Sequence, residues 1–186
     1  ATTAARSDHT HGTPSLTSFT APMLGFKLES LPLYAAATQQ NAAAGTMLAI
    51  LVRPGAITIS SLGLWVITAG VTSSGVNGMA LYSADGQTLI DQTGDMTAAF
   101  GGTGFISGNL SSSHTLADST NYYLAVLTHF SGTIPRIGSS ATFAGNIPAI
   151  NGNIPSLFLT SQASFPSSFT PGSASKNSAI YWMVGF

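Results

Sequence analysis

Strand-length runs of β-branched and aromatic residues, each stopped by Gly, Pro, Asn, Asp or Ser, recur through this chain. No capped apolar pattern with a helical period interrupts them. "TMLAILV", "AITISSLGLWVITAG", "VNGMALYSA", "GQTLIDQ", "TGFISGNL", "NYYLAVLTHF", "IPSLFLT" and "NSAIYWMVGF" are such runs. With no helices to cover them, these strands bury their apolar faces against one another. The expected fold is therefore all-β, two sheets face to face in a β-sandwich of jelly-roll type.

Phase within the runs refines this. In "ITISSLGLWVIT", Ile57 and Ile59, then Leu62, Leu64 and Val66, keep a two-residue period that shifts at Ser60 and Ser61, as a β-bulge would make it. "ALYSADGQTLI" predicts a hairpin in which Asp85 and Gly86 supply the positive φ angles of a tight primed turn. "YAAATQQNAAAGT" reads as loop or edge strand. Residues 132–152 and 161–176 are rich in Gly, Pro and Ser and predict long surface loops at the ends of the sandwich, where binding surfaces gather. Residues 1–18 lack apolar alternation and read as an arm or connector, ahead of a sandwich domain over 19–186. No internal repeat marks a solenoid or propeller.

Composition narrows the function. Only 6% of the 186 residues are charged while 44% are apolar, so hydroxyl, amide and glycine groups must make the surface. Such a surface is poorly protected against association, and a fixed oligomer is expected. Net charge is −1 and the cations are Arg6, Lys27, Arg53, Arg136 and Lys176, too few to track a phosphate backbone, so nucleic acid is not an expected partner. There is no cysteine for a disulfide or thiolate site. The most apolar run, "TMLAILV", is far shorter than the ~20 residues of a membrane span, and no membrane insertion is expected. The opening residues resemble no signal peptide, and the missing Met suggests processing or an excised fragment.

Candidates for catalysis are few. The acids are Asp8, Glu29, Asp85, Asp91, Asp95 and Asp118; three fall in "SADGQTLIDQTGD" and read as turn carboxylates, although a glycosidase pair could be drawn from Asp91, Asp95 and Asp118. No G-x-S-x-G elbow is present, and "GGTG" at residues 101–104 lacks the ending of a phosphate-binding loop. His114 and His129 have no visible nucleophile beside them and read as structural or exposed histidines. No catalytic residue and no enzymatic activity are expected. The aromatic residues are too numerous for one small core, so some belong at loops or interfaces, where a ring can stack on the apolar face of a sugar. Phe165 and Phe169 of "SFPSSF" are the candidate ligand-binding residues, with burial under their own loop as the other reading. Trp65 and Trp182, inside strands, are expected in the core.

His9 and His11 are a separate case. At i and i+2 of an extended segment, both imidazoles point one way. Three chains on a threefold axis would complete an octahedral nitrogen cage for iron or another divalent transition metal, and Asp8 could hold a ring N–H. "SDHTHGTP" resembles the D-H-x-H-G-T-P element near domain starts in tail-fibre and minor tail proteins of bacteriophages, particularly those of actinobacteria. "AITISSLGLWVITAG", "GMALYSADGQTLI" and "NYYLAVL" resemble the β-sandwich domain of the same proteins, so the likeness spans residues 7–130. In long tail fibres of other phages, H-x-H motifs from three chains bind iron; carried over, that role falls on His9 and His11 alone. Here one such motif precedes a globular domain, whereas those fibres hold several in a thin needle.

The resemblance implies an extracellular virion part at the phage tail. It would be homotrimeric, joined to other virion proteins through its N-terminal arm, and would contact bacterial cell-surface glycan without enzymatic activity. A capsid decoration or tail-assembly protein that binds no receptor is the structural alternative, and a glycan depolymerase the enzymatic one.

Overall fold

The computed structural model describes residues 21–186 except 72–75, 143, 144, 146, 150 and 151. Among these the strands are β1 (Leu28–Glu29), β2 (Thr38–Asn41), β3 (Thr46–Val52), β4 (Ile57–Thr68), β5 (Gly78–Ser83), β6 (Leu89–Gln92), β7 (Gly104–Leu116), β8 (Tyr122–Thr128), β9 (Arg136–Ser139), β10 (Ser156–Leu159), β11 (Ser175–Lys176) and β12 (Met183–Gly185). One short helix, α1 (Thr97–Phe100), lies between β6 and β7.

They form two antiparallel six-stranded sheets, the expected β-sandwich. Sheet A runs β1-β12-β4-β9-β2, and β7 lines the other side of β4. β12 and β9 share one flank of β4, Met183–Gly185 beside Leu62–Leu64 and then Ile137 beside Val66. Sheet B runs β11-β10-β3-β8-β5-β6. The bulge at the serines is present, as a register shift against β7 between Ile59 and Ser61.

Alternation divides each strand between two environments. Leu48, Ile50, Met79, Leu81, Leu124 and Val126 of sheet B meet Ile59, Leu62, Leu64, Val66, Ile137 and Met183 of sheet A in the main core. The intervening residues of sheet B, among them Met47, Ala80, Tyr82, Tyr123 and Leu127, point the other way and are equally buried. Sheet B is therefore covered on both sides.

The second cover is the segment within 161–176 that precedes β11, for whose rings exposure and burial under their own loop were both open readings; it lies on sheet B, the burial reading. Phe165 and Phe169 are 6% and 5% exposed, and Phe169 meets Tyr82 and Tyr123 edge-on at centroid distances of 5.1 and 5.5 Å. Tyr82 OH donates to Pro166 O (2.8 Å) and Leu89 N to Ser167 O (2.9 Å), which staple the loop down. Apolar strand residues on the outer side of sheet B need this cover, and the two phenylalanines supply it. Burial pushes the Tyr123 hydroxyl up to about 12, so it remains a donor, to Ile154 O at 3.0 Å.

Two other expectations change. The hairpin between β5 and β6 exists, but only Gly86 has positive φ (+70°). Gly86 N bonds Ser83 O and Ser83 N bonds Thr88 O, closing a longer loop in which a glycine follows an ordinary turn, so Asp85 needs no unusual backbone. Residues 132–152 include a core strand, β9, whose Ile137 is fully buried. It fills the flank of β4 beyond the reach of β12. The stretch "YAAATQQNAAAGT" supplies the edge strand β2.

Candidate functional site

The two sides of the sandwich differ. Sheet B is covered outside, whereas sheet A keeps an exposed apolar outer face. Its phase follows from β4: Leu62, Leu64 and Val66 point inward, so Gly63, Trp65 and Ile67 point outward. Trp65 is 42% exposed, Ile67 38% and Phe105, directly opposite Trp65 on β7, 39%. The expected core placement of Trp65 is thus corrected: in phase it is the odd residue between two core residues. Trp182 is buried as expected, at 1%.

Part of this face is filled by rings. Phe105 lies over Gly63, where a Cβ would stand 2.5 Å from the ring. Phe26 packs 5.3 Å from Phe105 and 5.6 Å from Trp182, and Phe186 joins them. Beside this cluster the face is open. A groove of about 260 Å³ is lined by Trp65, Ile67, Leu33, Ala36 and Gly138. Gly138 makes its floor: the nearest atoms a Cβ there would meet belong to Trp65 and Ile67, at ordinary contact distances of 3.7 and 3.8 Å, so absence of a side chain leaves space.

One margin of the groove is polar. Gln39 on β2 stands opposite Gly138, and Asn41 opposite Arg136; partners across a ladder share a face. A second bulge, between Val66 and Thr68, brings Thr68 opposite Arg136. Thr68 Oγ1 donates to Gln39 Oε1 (3.2 Å). The site therefore joins an exposed indole and aliphatic wall to a margin of amide, hydroxyl and guanidinium groups, a combination that suits a flat ligand with one apolar face and hydroxyls around its edge.

A second polar cluster clasps the two sheets. Asp91 on β6 accepts from His114 Nε2 (2.7 Å), Ser111 Oγ (2.8 Å to both oxygens), Gln92 N (2.8 Å) and Ser112 N (3.2 Å), and its side chain is 7% exposed. Burial pushes the carboxyl up, but bonds from His114, Ser111, Gln92 and Ser112 outweigh it and hold Asp91 below the usual carboxylate range. Ser112 Oγ meets the same nitrogen, Nε2, at 3.2 Å. A nucleophile relay needs carboxylate and serine on opposite ring nitrogens. Here, with Nε2 donating to Asp91, Ser112 has no base, and the group acts as a clasp between β6 and β7.

The remaining candidates are dispersed. Asp85 accepts from Ser83 Oγ and Gln87 N, and Asp95 from Thr97 N and Oγ1, each within its own turn. Those bonds hold both carboxyls below the usual range. Asp118 is exposed in the turn between β7 and β8. His129 N donates to Asn77 Oδ1 (2.5 Å), and its Nε2 is buried without a hydrogen-bond partner among the described residues. Phe165 and Phe169, taken up in packing, present no stacking surface. His9 and His11 lie outside the described residues, and among the described residues no three metal-ligating side chains gather. No described helix is long and apolar enough to cross a membrane.

Neither the protein-family models nor the curated proteins contain a match to this chain.

Proposed function

We propose that this chain is a non-enzymatic β-sandwich attachment domain of a phage tail fibre or minor tail protein, and that it contacts bacterial cell-surface glycan through the outer face of sheet A. The observation that carries the reading is Trp65. An indole 42% exposed in the middle of a sheet, over a groove floored by glycine and edged by Gln39, Asn41 and Thr68, offers what a sugar ring needs: a flat apolar surface and neutral hydrogen-bonding groups at its border. The tail context rests on the likeness of "SDHTHGTP" and the strand motifs at residues 7–130. In that setting three copies share an axis, their N-terminal arms join other virion proteins, and His9 and His11 serve as imidazole ligands to iron or a similar ion. Weak single sites then act together, by avidity.

Sedimentation with purified actinobacterial cell walls tests this. The native chain is expected to co-sediment saturably and Trp65→Ala to lose most of the binding, with its melting temperature little changed because the ring is on the surface. Equal binding by Trp65→Ala overturns the site. Loss of self-association instead of wall binding would make this face a contact between copies.

A further inference from the structure

We infer that the saccharide taken by this groove carries an acid group, carboxylate or phosphate, and that Arg136 holds it; the inference rests on the glycan-binding reading above. Arg136 opens β9 and lies two residues before Gly138, hence on the same outer face. That spacing is roughly 7 Å along a strand, and an arginine side chain spans it. Thr68 faces Arg136 from β4 and Asn41 from β2, so the guanidinium rises between two neutral hydrogen-bonding groups at the polar margin.

Among the described residues no partner uses this cation. Arg136 is exposed and makes no ion pair or side-chain hydrogen bond with the described residues. The described acids lie elsewhere: Glu29 on β1 beside β12, Asp91 on β6 of the other sheet, and Asp85, Asp95 and Asp118 in turns. In a chain with only five lysines and arginines, a guanidinium that pairs with none of the described residues, at the edge of an indole-walled groove, is a specific chemical feature. Its planar fork matches the two oxygens of a carboxylate or phosphate. Trp65 supports the ring while Arg136 takes the acid group at its rim.

The experiment uses polysaccharide released from the same cell walls, in three forms: untreated, with its carboxyl groups reduced to alcohols, and with its phosphates removed by hydrogen fluoride. The native chain should bind the untreated form and lose about tenfold or more in affinity after one of the two treatments, which also identifies the acid. Arg136→Gln should show the same loss on untreated polysaccharide and none further on the treated form, and Arg136→Lys, with charge but no fork, should fall between. Binding that survives both treatments overturns the inference, as does Arg136→Gln binding like the native chain. Failure of the native chain to bind the untreated polysaccharide overturns the glycan reading itself.

Discussion

At the scale of single residues, two aromatic positions exchange the roles their surroundings in the sequence suggest. Phe169, in a Pro- and Ser-rich loop, is core; Trp65, inside an apolar strand, is surface. Phe169→Ala should therefore cost about 3–5 kcal/mol, as truncation of a buried ring does, while Trp65→Ala should stay within roughly 1 kcal/mol. Urea unfolding of both variants checks the contrast; equal losses would place Trp65 in the core after all. Part of this was legible. Trp65 alternates out of phase with Leu64 and Val66, and that phase already assigns it to the opposite face. Phe165 and Phe169 carry no such signal, because a loop without periodicity does not say which way its side chains turn.

At the scale of elements, the longer strands were readable from their β-branched and aromatic runs and the serine bulge from an interrupted alternation, whereas β1 and β11, two residues each, carried no such run. β9 was not readable either: "RIGS" is four residues with one large apolar side chain, and it becomes a strand because β4 outruns β12 and needs a partner for its far end. Nor was the clasp between β6 and β7, because Asp91 and His114 are distant in sequence and only sandwich geometry joins them. The clasp has a pH signature. The Asp91 carboxyl is held below its usual range in the fold, so it stabilises the protein above the ordinary aspartate value of about 4 and loses that contribution as pH falls through its lower folded value. Urea midpoints followed from about pH 6 downward should drop in the native chain, and drop less steeply in Asp91→Asn, which is less stable at neutral pH. Identical slopes for the two would remove Asp91 from the account of acid sensitivity.

At the scale of the whole molecule, the sandwich has one closed side and one open side. The closed side is sheet B buried under its loop; the open side of sheet A presents Trp65, Ile67 and Phe105. If three chains assemble through their arms and leave this face free, light scattering should give a trimer for both the native chain and Trp65→Ala. Removing residues 1–18 should yield a monomer that retains single-site affinity but loses its hold on whole walls. A monomeric full chain would overturn the trimer. The placement of β12 bears on how such a domain comes into being. It sits between β1 and β4, so the middle of sheet A is completed by residues far along the chain from those they join. A growing polypeptide that has not yet delivered Met183–Gly185 keeps two strand edges open to any neighbour. Synthesis of many copies close together is the moment at which this protein is most exposed to misassembly.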